Sequence, residues 1–142
     1  MSQSSSPLLD RGLLLIRAAV GVVFVMHGWQ KLALYGLAGT TGFLSELGIP
    51  WPGVNAAMLI GAELAGGALL LAGAGTRVVS LILAFTMAVA AIVVHGAGGF
   101  FLPTGYEYAA TLGLISVAIA LTGAGRYSVD AAIAARSGRA TA

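Results

Sequence analysis

The sequence contains no cysteine. That excludes disulfides, thiolate metal sites and redox thiols within the chain. Charge is nearly as scarce: 8% of residues are Asp, Glu, Lys or Arg, against about a quarter in ordinary soluble domains. The formal net charge of +2 reflects a small surplus of Arg. No dense basic patch with interleaved aromatics is present, so nucleic acid is not an expected partner. Histidine occurs twice, at His27 and His95. That is formally enough for axial haem ligation from two helices, or, with Glu107, for a divalent ion. Neither comes with a spaced ligand motif, so the reading adopted has no metal and disfavours haem.

What is abundant is apolar: 58% of the residues are hydrophobic and 21 are glycine. Four runs approach the ~20 residues that cross ~30 Å of hydrocarbon at 1.5 Å per residue. They cover 13–34, 54–74, 78–96 and 106–122. The runs are too long and too rich in Ala, Gly and Leu for strands. The first is not read as a cleaved signal peptide. Arg11 and Arg17 resemble a basic n-region, yet no small-residue cleavage site follows, and the stretch runs into His27, Trp29, Gln30 and Lys31.

The fold expected is therefore all-α, an integral membrane four-helix bundle with a short interfacial helix between spans 1 and 2. Residues 1–10 form a Ser-rich tail with no reason to fold, 11–130 the transmembrane domain, and 131–142 a cytoplasmic tail. In the connection, Thr40 or Thr41 is placed to cap a helix whose Phe43, Leu44 and Leu47 share a face opposite Glu46. Gly48 and Pro50 stop it, and Trp51 anchors it at the interface. Gly73, Gly75 and Thr76 form a tight turn, which makes spans 2 and 3 antiparallel neighbours. Arg11, Arg17, Arg77, Arg126, Arg136 and Arg139 gather at one side and Lys31 at the other. Both termini are therefore assigned to the cytoplasm.

Charges inside a span cost about 2.5–3.5 kcal/mol each, so each needs a reason. Arg17, one turn into the first span, either snorkels to the surface or turns inward. Glu63 lies near the middle of the second span, where its short side chain reaches neither interface. It is protonated, paired or facing a wet cavity. Arg17, Gly21, Phe24, Gly28 and Lys31 share a narrow stripe, so an inward Arg17 would meet Glu63. That contact is read either as structural glue or as part of a functional cavity. Near the outer end, the topology brings His27 and Lys31, His95, and Glu107 to one level. An interfacial belt explains Trp29 and Tyr108. The combination of Arg17, His27, Lys31, Glu63, His95 and Glu107 points beyond that, to a titratable pocket for an anion, a quinone head group or proton transfer. Gly61, Ala65, Gly66 and Gly67, with Ala84, Ala88 and Ala91, are read as packing residues.

HGWQK at 27–31, GLAGTTGFLSELGIP at 36–50, GAELAGG at 61–67, Thr76-Arg77, His95, GYEY at 105–108 and GRYSVD at 125–130 together resemble the DoxX family of membrane proteins. The similarity covers almost the whole chain after the Ser-rich tail, with the motifs in order. Where such proteins often carry Asn before the GYEY-like run, this chain has Pro103-Thr104. The resemblance implies a four-helix protein of the bacterial inner membrane carrying an oxidoreductase label. Some members of the family are subunits of thiosulfate:quinone oxidoreductases, and others are linked to thiol and oxidative-stress systems. Without cysteine or a nucleotide motif, a role in electron transfer implies binding quinone or anchoring a soluble or membrane oxidoreductase partner. The alternative is a non-enzymatic protein that binds or transports a small molecule or protons along Arg17, Glu63 and His27. The oligomeric state, including a homo-oligomer, stays open.

Overall fold

A computed structural model describes residues 6–140 of the chain, and all its regular structure is helical. The expected disorder of residues 1–5 lies outside the described residues. Helix α1 spans Pro7–Trp29, so it begins inside the segment read as a tail. The reason is local. Ser6 is the N-cap, its hydroxyl accepting the Leu9 amide at 3.2 Å, and proline fits the first helical turn.

The chain then widens into a π-helical segment over Gln30–Tyr35 and continues as α2, Gly36–Glu46. The short connecting helix therefore starts earlier than expected. Neither Thr40 nor Thr41 caps it; Thr40 is buried within it and donates its hydroxyl back to the Gly36 carbonyl at 3.0 Å. Its end is as expected: Gly48, at φ 72°, turns the chain, and the Ile49 amide closes on the Leu44 carbonyl at 3.0 Å.

Helix α3 covers Pro52–Ala72 and ends at Gly73 in the left-handed conformation. After Gly75 comes α4, Thr76–Val89, extended by a π-helical segment over Ala90–Val94. The expected glycine turn thus joins two helices that pack together. A 3-10 turn at Gly96–Gly98 and an irregular loop containing a cis Leu102-Pro103 bond lead to α5, Glu107–Thr122. The segment read as a C-terminal tail is helical as far as residue 140. Ser128 accepts the Ala131 amide at 3.1 Å and starts α6, Val129–Ala140.

Two of these stretches, Pro52–Ala72 and Thr76–Val94, are long and apolar enough to cross a membrane; α5 is apolar but shorter. Helix α1 packs most extensively on α3, and α4 on α5. Val20, Phe24, Leu70, Val79, Leu83, Leu112 and Ile119 form the core. The interior also holds Arg17, Glu63, Ser80 and Ser116, whereas Leu15, Met58, Phe85, Ile92, Leu114 and Leu121 point outward.

Glycine sets the spacing of α1 and α3. A Cβ on Gly21 would stand 2.9 Å from the Gly67 carbonyl oxygen, and one on Gly67 would stand 2.8 Å from the Val25 amide nitrogen. Such distances leave no room for a side chain at either glycine. The seam is antiparallel: Gly28 meets Glu63 and Leu64, Gly21 meets Gly67 and Leu71, and Arg17 meets Gly73.

Candidate functional site

At one end of that seam lies a buried ion pair. The Lys31 ammonium stands 2.9 Å from Glu63 Oε1 and 2.8 Å from Oε2. Glu63 is 2% exposed and Lys31 21%. Each element supplies something specific. Helix α3 carries Glu63 at mid-length, too deep to reach an interface by itself. Gly28 lets α1 approach so closely that the Lys31 stem, one turn further on, reaches the carboxylate. Lys31 lies in the first turn of the π-helical segment, and π-turns often accompany functional sites in helices. Thr40, from α2, directs its hydroxyl toward the Lys31 carbonyl at 3.4 Å.

An ammonium has three N–H donors. Both side-chain hydrogen bonds of Lys31 go to Glu63, and no second acceptor residue is in place among the described residues. Lys31 is the more accessible partner of the pair, so a ligand would meet its ammonium before the Glu63 carboxyl. His27, four residues before Lys31, lies on the same face of α1. It is half-buried, with its ring centroid 6.1 Å from that of Tyr108 on α5 at an interplanar angle of 40°. Tyr108, read from the sequence as a belt residue, is thus a neighbour of the site.

His95 and Glu107 hold the nearby loop. His95 Nδ1 is 3.2 Å from the Thr104 carbonyl oxygen, and Glu107 Oε1 accepts the Leu102 amide at 2.9 Å. Neither hydrogen-bonds to Lys31 or Glu63. Among the described residues no three His, Asp or Glu side chains gather as a metal-binding group.

Arg17 departs from the expected arrangement. It does not meet Glu63; Val20, Phe24 and Leu70 fill the seam between them. Nor does it snorkel, being 1% exposed. Its guanidinium donates to the carbonyl oxygens of Ala124 and, at 2.7 Å, of Tyr127. The floor assigned to Glu63 and Arg17 together is therefore two separate places. The physical reason is that the 123–128 segment folds back under α1 and offers carbonyls left free after α5 ends.

Two carboxylates complete this second cluster, and neither was among the candidate site residues. Asp130 accepts the amides of Gly75 at 2.7 Å and Thr76 at 2.9 Å, capping α4 from a distance. Asp10 Oδ1 accepts the Arg126 amide at 3.0 Å. Burial raises the Asp130 pKa, but the amides of Thr76 and Gly75 and the Arg17 charge outweigh it, leaving the carboxyl below its ordinary range. Asp130 closes the GRYSVD run, the signal that was available.

The DoxX family model matches residues 12–96. The chain is 34% identical over 119 residues to the protein named "Putative oxidoreductase CatD" of Bacillus subtilis (strain 168), covering 84% of each chain. It is 30% identical over 138 residues to "Inner membrane protein YqjF" of Escherichia coli (strain K12), covering 85% of this chain and 91% of that one. No solved structure matches.

Proposed function

Because this chain belongs to the DoxX family of membrane proteins, we propose that it is a four-span bacterial inner-membrane protein that binds quinone as the membrane subunit of an oxidoreductase system. Helices α1, α3, α4 and α5 are the spans, and α2 lies along the interface. The outward-facing leucines, isoleucines and phenylalanines form the belt that lipid requires, since soluble monomers rarely expose apolar patches of this extent. The names of the two relatives, "Putative oxidoreductase CatD" and "Inner membrane protein YqjF", support the same reading. Arginines at the end shared by α1's start, the 73–77 turn and the 123–130 segment support a cytoplasmic placement of that end.

The observation that carries the functional reading is the partly accessible Lys31 ammonium, held by the buried Glu63. In this reading it donates to one quinone carbonyl oxygen, while Glu63 holds the ammonium in place and offsets its charge. His27 lies on the same face, with imidazole chemistry suited to passing protons. Reduction to the quinol takes two electrons and two protons. The electrons come from a separate donor, a reduced sulfur compound or an oxidoreductase partner, and this chain binds, orients and supplies protons. A route for transport from Glu63 to Arg17 has less support, because the core layer of Val20, Phe24 and Leu70 intervenes.

Quinone extracted from protein purified in native lipid discs tests the reading. Wild type should carry quinone in excess of the surrounding lipid, and Lys31→Met should reduce that excess about tenfold, the loss of one charge-assisted hydrogen bond. An unchanged excess in a folded Lys31→Met variant would overturn the assignment.

A further inference from the structure

The end of the molecule that carries both termini has a surface the ion-pair site does not use. Along α6, Asp130 and Ala131 face the bundle, Asp130 through its bonds to Gly75 and Thr76. At 100° per residue, Val129, Ala132, Ile133 and Arg136 then share the opposite face. Val129 is 41% exposed, Ile133 56%, and Tyr127 just before the helix 46%. The first turn of α1 adds Leu8 and Leu9, both exposed, and the Asp10–Arg126 bond ties the two segments together.

The charge on this surface has one sign. Arg11, Arg126 and Arg136 are exposed. The acids of the same end turn inward: Asp10 is 3% exposed, and Asp130 is bound to the α4 amides. Short apolar side chains with arginine, and no exposed acid, are the composition of a helix that lies on an anionic bilayer surface. The surface is also continuous with the outward apolar belt, through Leu15 on α1, Val78 on α4 and Leu121 on α5.

We infer that α6 and the start of α1 form a collar that docks on anionic phospholipid, with Arg126 and Arg136 on headgroup phosphates and Val129 and Ile133 among the headgroups. The collar leaves the ion-pair site untouched and fixes how deep that end of the bundle sits.

The chain has no cysteine, so Ala132→Cys gives a single attachment point for a spin label on the docking face. The full chain is reconstituted in vesicles of mixed phosphatidylglycerol and phosphatidylcholine, and in phosphatidylcholine alone. The label should be preferentially reached by oxygen in the mixed vesicles and by a water-soluble nickel chelate in the neutral ones. Adding Arg126→Gln and Arg136→Gln should lower the immersed fraction ratio about fivefold per arginine, with an unchanged melting temperature as the folding control. A label equally water-accessible in both vesicles overturns the proposal and leaves a soluble protein as the occupant. Equal immersion in both vesicles overturns it as well, since the charge then does nothing.

Discussion

Gly28 lies against Glu63 so closely that a Cβ at residue 28 would stand 3.0 Å from the Glu63 Cβ and 2.8 Å from the Leu64 amide nitrogen. The close approach of two backbones and the burial of the ion pair are therefore one feature. Gly28→Ala should push α1 off α3 and destabilise the protein by about 1–3 kcal/mol. Gly61→Ala, with nothing within 4 Å of the added Cβ, should be neutral or stabilising by up to about 1 kcal/mol, as for an alanine in a helix interior. Thermal unfolding in mild detergent separates the two. Equal effects at both positions would contradict the seam.

Removing one partner of the ion pair should cost more than removing both. Breaking a buried pair typically costs about 3–5 kcal/mol, and the lower end applies because Lys31 is partly accessible. Lys31→Met and Glu63→Gln should each destabilise, and the double variant should recover a large part of the loss. A double-mutant cycle measures the coupling. Strict additivity would mean that the two side chains do not interact.

The sequence made the helical runs legible because apolar length alone is diagnostic, and the turn at Gly73 to Thr76 was equally plain. It also placed Arg17, Gly21, Phe24, Gly28 and Lys31 on one stripe, and four of these are buried in α1. The wrong partner for Glu63 followed from that stripe. It carries a cation at either end, and periodicity does not say which end of α1 stands opposite the middle of α3. The contact of Gly28 with Glu63 decides in favour of Lys31. The π-helical segments left no trace in the pattern, since they change register without changing composition. Gly61 and Gly67 look alike in sequence, yet one meets open space and the other a backbone.

Asp130 should make stability fall in acid. Its pKa is lowered on folding, so its contribution is fully present above the ordinary carboxylate value of about 3.9 and is lost as pH falls through the folded value. Asp130→Ala should cost about 1 kcal/mol at neutral pH, the usual worth of a helix cap. The difference from wild type should shrink below about pH 4. A difference independent of pH would assign the loss to packing rather than to the carboxylate.

Both termini should lie on one side of the membrane. In this cysteine-free chain, single thiols at Ala97 and Ala135, both exposed, should be labelled by an impermeant reagent from opposite faces, Ala97 from outside and Ala135 from the cytoplasm. Gly98 is avoided because a Cβ there would clash with the Thr104 carbonyl oxygen. Labelling of both from the same face would contradict the four-span arrangement.

The central claim is that the Lys31–Glu63 pair receives a quinone. Trp29, two residues from Lys31, reports on it directly. A short-chain quinone titrated into wild-type protein in lipid discs should quench Trp29 emission saturably, with Trp51→Phe used throughout as background. Lys31→Met and Glu63→Gln should each move the midpoint at least about tenfold to weaker binding, the equivalent of one charge-assisted hydrogen bond. Coincident quenching curves for all three folded proteins would contradict the account.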